Sequence, residues 1–271
     1  MPFQTPPPET PSEAHIVVTF PAEHILHVAL NRPRQWNALN KVTNEALDRL
    51  WDWYEAEPSM RCAIMGTTTE RAFCAGGDLI EIGISPMPKS GTGLAGLARR
   101  KIKKPIIAAL RGIVVGGAVE MLTNFDVVVA GESAVLSLPE AKRGVPAGGG
   151  GLPRLVYLVG RQKAAEWLMT GRDIPSREAE RCGLVNCVVP DGEVESTAFD
   201  IARQTVANSP DSVLLHSWGL RLVEEEMGFD RHMDRFTQSA KYKAVTSGEN
   251  WREGMNAFAE KRAPKWVDSK L

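Results

Sequence analysis

The sequence predicts an α/β fold, a spiral or layered core with a helical C-terminal appendage, and three observations predict it. Short β-branched or apolar runs bounded by turn residues recur through the first part of the chain. Beyond Leu152 the pattern turns mostly helical. The length of 271 residues, with 43% hydrophobic and 24% charged, supplies ample core for one large domain, or one plus a small appendage. Strands first and helices last is the order expected of an α/β body carrying a helical tail. The boundaries follow as a disordered arm over 1–14, a core over 15–192 and a helical region over 193–271.

Each element has a local reason. Met1 to Ala14 is rich in proline and polar residues without periodicity, and reads as a disordered arm. His15 to Phe20 and His24 to Asn31 are β-branched runs parted by Pro21-Ala22-Glu23, the pattern of a hairpin. A polar loop around Arg32-Pro33 ends at Asn40, an N-cap for an amphipathic helix from Lys41 to about Ala56. Arg61 to Gly66 reads as a buried strand. In the RAFCAGGDL stretch that follows, Gly76 and Gly77 suit either a tight turn or a backbone held open to a ligand, and Asp78 is placed to cap what comes next. Ile80 to Gly93 reads as a mobile loop near a site mouth. Gly91 to Gly96 fits GxGxxG, but no strand precedes it and no suitable acidic residue ends the next strand, so a dinucleotide site is rejected; a helix is expected from Leu94 to about Lys103. Pro105 to Leu110, Asp126 to Ala130 and Ala134 to Leu138 read as further strands. Gln162 to Thr170 and Ser176 to Cys182 read as helices, and Leu184 to Val189 as strand-like. From about Glu193 successive helices follow, with Trp218, Phe236, Trp251 and Phe258 as expected core anchors.

The stretch Arg111 to Asp126 carries the chemistry. Gly116-Gly117 marks a turn after a buried strand, and Ala118 to Leu122 opens a helix whose free amides favour an anion. Glu120 lies one turn inside, among residues suited to burial, so its carboxylate needs a partner. A salt bridge to an arginine and a catalytic role both satisfy that need. Glu140 precedes the glycine-rich Gly144 to Gly151, where a solvated loop glutamate and a catalytic one are the alternatives.

Composition narrows the classes. A net charge of −1 offers no basic excess to neutralise phosphates, which argues against nucleic acid as partner. The four cysteines, Cys62, Cys74, Cys182 and Cys187, share no ligand spacing with the five histidines, so free thiols and no metal are expected. No run is long and apolar enough for membrane insertion, and no secretory leader is expected. Ser269-Lys270-Leu271 forms the tripeptide read by the peroxisomal import receptor, on a tail expected to be disordered beyond Trp266. Peroxisomal localisation is the expectation.

Five motifs in order resemble the enoyl-CoA hydratase/isomerase (crotonase) family: Ala29-Leu30-Asn31-Arg32-Pro33 with Asn37-Ala38-Leu39, Ala72 to Asp78, Gly116 to Glu120, Pro139-Glu140, and Phe258 to Arg262. The resemblance covers nearly all of the chain after residue 15. It implies a crotonase-like spiral of ββα repeats carrying an acyl-CoA site, followed by helices that build a homotrimer or homohexamer.

By the same resemblance, the backbone N–H groups of Gly77 and Gly117 face the thioester oxygen of an acyl-CoA substrate. Glu120 and Glu140 match the glutamates that grip the reacting water, and Gly148 matches a glycine whose N–H contacts it. Ala75 and Leu79 match positions lining the adenine pocket. Phe258 matches an acyl-chain contact, and Lys261, from a neighbouring subunit, a contact to the 3′-phosphate. Ala118 stands where the family usually has a third glycine, and Pro146 lies one position earlier than the usual proline. The implied activity is hydration of trans-2-enoyl-CoA to 3-hydroxyacyl-CoA in peroxisomal fatty-acid or related acyl-CoA metabolism, with no cofactor beyond the CoA thioester substrate. The alternatives are a Δ3,Δ2-enoyl-CoA isomerase, needing one glutamate, and a non-catalytic acyl-CoA-binding or RNA-binding member.

Overall fold

The computed structural model describes residues 3–78, 80–81, 91–144, 147–222 and 235–271. Leu79, Pro146 and most of the loop expected between Ile80 and Gly93 lie outside the described residues.

The hairpin is present: β1 (Ile16–Ala22) pairs antiparallel with β2 (Ile25–Leu30), with Ile16 opposite Leu30. Helix α1 (Lys41–Ala56) begins where its cap predicts, the Asn40 side chain accepting from Thr43 N–H at 2.9 Å. Its Leu47, Leu50, Trp51 and Tyr54 recur at helical spacing and are buried.

Three strand pairs then alternate between two sheets. They are β3 (Cys62–Thr67) with β4 (Ala72–Cys74), β5 (Ile106–Leu110) with β6 (Ile113–Val115), and β7 (Val127–Gly131) with β8 (Val135–Ser137). The first member of each joins a six-stranded sheet ordered β1-β2-β3-β5-β7-β10, in which β10 is Cys187–Val189, and the second a four-stranded sheet ordered β4-β6-β8-β9, in which β9 is Asp173–Pro175. Within the smaller sheet Cys74 pairs with Val114, and Val114 with Leu136, all in parallel. Helix α2 (Gly117–Leu122) completes the second pair, and a 3₁₀ turn over Glu140–Arg143 follows the third. This is the expected spiral of strand–strand–helix units.

The chain continues through α3 (Leu152–Val159), α4 (Arg161–Thr170), β9 (Asp173–Pro175), α5 (Ser176–Arg181) and β10 (Cys187–Val189). The C-terminal region holds α6 (Val194–Val206), α7 (Pro210–Arg221), α8 (Ala240–Ser247) and α9 (Glu249–Glu260). No described helix is long and apolar enough to cross a membrane. All four cysteines are free thiols.

Strand periodicity divides the core. Leu26, Val28, Ala63, Met65, Ala108 and Leu110 face one apolar cluster shared with α1 and the smaller sheet. Ile25, Cys62, Ile64, Ile107, Ala109 and Val129 face the other, which Val194, Ala198 and Ala202 of α6 cover. With both faces buried, the strands read as continuous apolar runs.

Several expectations change. The helix expected from Leu94 to Lys103 is a single 3₁₀ turn, Leu94–Gly96, with Ala95 in the left-handed region at φ 57°. Side chains of α1 hold it there: Asn44 accepts from Ala95 N–H at 2.6 Å, and Trp51 Nε1 donates to its carbonyl at 3.0 Å. The arm expected to be disordered packs on the core from Phe3. That ring lies 5.4 Å from Trp53, and Trp53 Nε1 donates to the Thr5 carbonyl at 2.7 Å. Trp251 and Phe258, expected as core anchors, are 48% and 84% exposed, whereas Trp218 and Phe236 stack at 6.0 Å.

The tail beyond Trp266 is docked rather than disordered. Trp266 Nε1 donates to the Ala207 carbonyl at 2.8 Å, Asn250 exchanges two bonds with the Val267 backbone at 3.0 Å each, and Arg61 pairs with Asp268 at 2.7 Å. The Ser269 hydroxyl donates to Asp211. Truncation after Lys265 leaves the Oδ1 of Asn250, a buried residue, without its donor, so a stability loss of about 1–3 kcal/mol is expected. A lower urea midpoint at unchanged slope is the measurement, and an unchanged midpoint contradicts the expectation.

Candidate functional site

The site is assembled from the segments that follow β4, β6 and β8. Gly116 N–H donates to the Ser137 carbonyl at 2.8 Å, tying the turn before α2 to the end of β8. Glu140 follows shortly after on its 3₁₀ turn, and a Cβ placed at Gly116 would lie 3.0 Å from Glu140 Oε1. Glu120, on the next turn of α2, is 4% exposed. The two sequence-predicted carboxylates therefore flank one glycine turn.

Glu120 is satisfied by backbone amides. Gly149 N–H donates to Oε1 at 3.1 Å, and the N–H groups of Gly150 and Gly151 donate to Oε2 at 2.9 and 3.0 Å. No arginine salt bridge to Glu120 is present among the described residues. The close approach requires glycine, because a Cβ on Gly151 would sit 2.6 Å from the Glu120 Cα. Sequence reasoning registered the glycine run as fit for close approach but did not connect it to Glu120. Gly148, the expected water contact, is the exposed residue just ahead of this trio.

Glu140 has the opposite environment. Its Oε2 is buried with no hydrogen-bond partner among the described residues. Burial pushes the carboxyl above the ordinary glutamate value of 4.5, and the neighbouring Glu120 charge adds to the effect. It therefore keeps a proton to higher pH than a solvated carboxyl would.

The two candidate oxyanion amides also come together. Gly77 bridges in parallel to Leu39: Leu39 N–H donates to the Gly76 carbonyl at 2.8 Å, and Asp78 N–H to the Leu39 carbonyl at 3.0 Å. That pattern leaves the Gly77 N–H outside the ladder. Gly76 has φ 85°, and a Cβ there would be 2.8 Å from the Val115 carbonyl and 3.5 Å from the Gly117 nitrogen. The loops carrying Gly77 and Gly117 thus abut, and Gly117 opens α2 with its amide at the helix N-terminus.

The remaining predicted residues separate. Ala75 is fixed beside this turn, donating to the Trp36 carbonyl at 3.0 Å. Phe258 and Lys261 sit at the end of α9, both exposed, and the contacts of that helix run mainly to α8 rather than to the carboxylates.

The raised Glu140 carboxyl can be followed by carbon-13 NMR titration. Its midpoint is expected above 4.5 in the native protein. In Glu120→Gln it should fall, since a like charge is gone, yet remain raised because burial, the larger cause, persists. A midpoint unmoved by that substitution would show that the carboxylates do not sense each other.

Comparison with known proteins identifies the family. Residues 21–269 match the model of the enoyl-CoA hydratase/isomerase family. The chain is 42% identical to the mevalonyl-coenzyme A hydratase sidH of Aspergillus fumigatus, over 96% of this chain and 99% of that protein. It is 40% identical to the mevalonyl-coenzyme A hydratase SIDH of Beauveria bassiana, over 94% and 95%. The crystal structure of an enoyl-CoA hydratase from Mycobacterium tuberculosis H37Rv superposes with a TM-score of 0.88 at 28% identity, covering 94% of this chain and 100% of that one. The family match over residues 21–269 and the identity to these relatives over nearly their whole lengths settle the assignment: the chain belongs to the enoyl-CoA hydratase/isomerase family.

Proposed function

We propose that this chain is an enoyl-CoA hydratase that adds water across the C2=C3 bond of an acyl-CoA thioester, or removes it in reverse. The observation that carries the reading is the pair Glu120 and Glu140 on either side of the Gly116-Gly117 turn. Addition at C3 pushes negative charge onto the thioester oxygen, where the N–H groups of Gly77 and Gly117 would receive it. A preorganised donor of this kind is worth about 3 kcal/mol. Water oxygen bonds to C3 and a proton is delivered to C2. Glu140, whose burial favours the protonated form, is suited to deliver that proton, while Glu120 takes up the one that water releases. Ala75 and Leu79 would line the adenine pocket, and Gly148 would contact the water.

Within this reaction class we assign a branched, hydroxylated substrate of the mevalonyl-CoA type. The support is the 42% and 40% identity to two mevalonyl-coenzyme A hydratases over nearly their whole lengths, against 35% for the enoyl-CoA hydratase EchA19 of Mycobacterium tuberculosis. Purified protein should turn over mevalonyl-CoA with kcat/KM at least about 10-fold above that on crotonyl-CoA, a difference of about 1.4 kcal/mol in transition-state binding. Equal or reversed preference would return the substrate to a straight-chain enoyl-CoA. Glu120→Gln and Glu140→Gln should each lower turnover by about 10²- to 10⁴-fold while acyl-CoA binding persists. Glu140→Gln that abolishes hydration but spares 3-enoyl isomerisation would make the protein an isomerase.

Assembly and location belong to the same proposal. Trp251, Met255 and Phe258 form an exposed apolar stripe on α9, 48%, 57% and 84% accessible, which supports a homotrimer or homohexamer in which Phe258 and Lys261 reach a neighbour's acyl-CoA. Ser269-Lys270-Leu271 supports peroxisomal import. A tagged protein lacking this tripeptide should stay in the cytosol; continued import in cells without the full-length form would show the tripeptide to be incidental.

A further inference from the structure

The loop from Arg32 to Leu39 carries more polar bonding than a connection needs. Trp36 and Asn37 are consecutive non-glycine residues in the left-handed region, at φ 54° and 55°. Such backbone is strained for a residue that carries a Cβ and persists only where its surroundings enforce it. Here Asn37 enforces it. Its side chain, buried at 1% exposure, accepts from Arg32 N–H at 2.7 Å and donates to the Ala72 carbonyl and Thr67 Oγ1 at 2.8 Å each. The loop is thereby fastened to β4, the strand that leads into Gly77.

The same loop then grips the turn itself. Trp36 accepts from Ala75 N–H at 3.0 Å, and Leu39 bonds to Gly76 and Asp78 on either side of Gly77. Arg32 closes the arrangement, its Nη1 donating to the Ala38 carbonyl at 2.9 Å and to Asp78 Oδ2 at 2.6 Å. The pair is largely buried, with side chains 18% and 14% exposed. Asp78 is the residue next to the donor, and an uncompensated carboxylate there would oppose negative charge on the substrate oxygen. The Arg32 guanidinium cancels that charge while fixing the backbone on both sides of the Gly77 amide.

We infer that Arg32 is a positioning residue for the reaction, acting through Asp78 and the Leu39 bridge to aim the Gly77 N–H at the thioester oxygen and to neutralise the carboxylate beside it. The inference rests on the proposed oxyanion role of Gly77. Arg32 touches no substrate in this scheme, so its loss should lower the rate rather than weaken binding.

The test uses the full chain with a saturated acyl-CoA carrying carbon-13 at its thioester carbonyl, whose infrared band moves to lower frequency when the oxygen is polarised. In the native protein the bound band should lie below that of free thioester. In Arg32→Gln the displacement should shrink, and kcat should fall about 10- to 100-fold, as expected for a donor moved by a fraction of an ångström. KM should stay within about 3-fold, because ground-state binding is retained. Arg32→Lys keeps the charge on a shorter, more flexible side chain in place of the planar guanidinium and should recover part of both readouts. If Arg32→Gln does not fold, Asp78→Asn loosens the Gly77 backbone from the other side without leaving an uncompensated carboxylate. The band displacement and kcat should then fall, but less than positioning and charge lost together would give, with KM again within about 3-fold. An unchanged kcat in that variant also overturns the inference. A full native band displacement in a folded Arg32→Gln variant, or an unchanged kcat, overturns the inference. No displacement in the native protein would instead remove the oxyanion reading, and the inference with it.

Discussion

The buried carboxylate of Glu120 sets the terms for the rest of the site. A carboxylate at 4% exposure must find partners, and a nearby cation would hold it in a fixed ion pair. Backbone amides supply the partners here, three of them from Gly149, Gly150 and Gly151. Amides carry no net charge, so the group is solvated without being neutralised. Its negative field still reaches Glu140, whose proton affinity it raises on top of burial. One carboxylate is thus arranged as an acceptor and its neighbour as a holder of protons, and the difference arises from their surroundings.

Much of the frame was legible because it follows local rules. Asn40 caps α1 as its residue type predicts, and the apolar runs of β2, β3, β5 and β7 become central strands with both faces buried. The paired glutamates were legible only as alternatives, since the same residue beside the same glycines can be a loop feature or a reacting group. Partners distant in sequence were not legible. Nothing in the local pattern near Ala95 shows that Asn44 and Trp51 will capture its backbone, and nothing in the glycine run names Glu120 as its occupant.

The exposed α9 residues illustrate a different limit. Trp251 and Phe258 satisfy a helical apolar period, and that period is the same whether a helix covers its own core or another surface. Phe3 is the converse, a lone aromatic in a polar segment whose place against Trp53 is set by a surface built elsewhere. Single anchors of this kind leave no periodic trace. The docked tail has the same character, because its bonds to Asn250, Arg61 and Asp211 join positions far apart in the chain.

The alternation of strands between the two sheets has a metric consequence. Cys74, Val114 and Leu136 are successive partners across β4, β6 and β8. Gly77 and Gly117 follow their strand partners at the same remove, and Glu140 follows Leu136 one residue further. Neighbouring strands lie about 4.8 Å apart, so the repeat acts as a ruler graduated in strand spacings, with one site group at each of three adjacent marks. The surrounding loops can lengthen or change composition without altering those intervals. Pocket shape and the spacing of the reacting groups are therefore separable traits of this architecture, the first written in the connections and the second in the sheet.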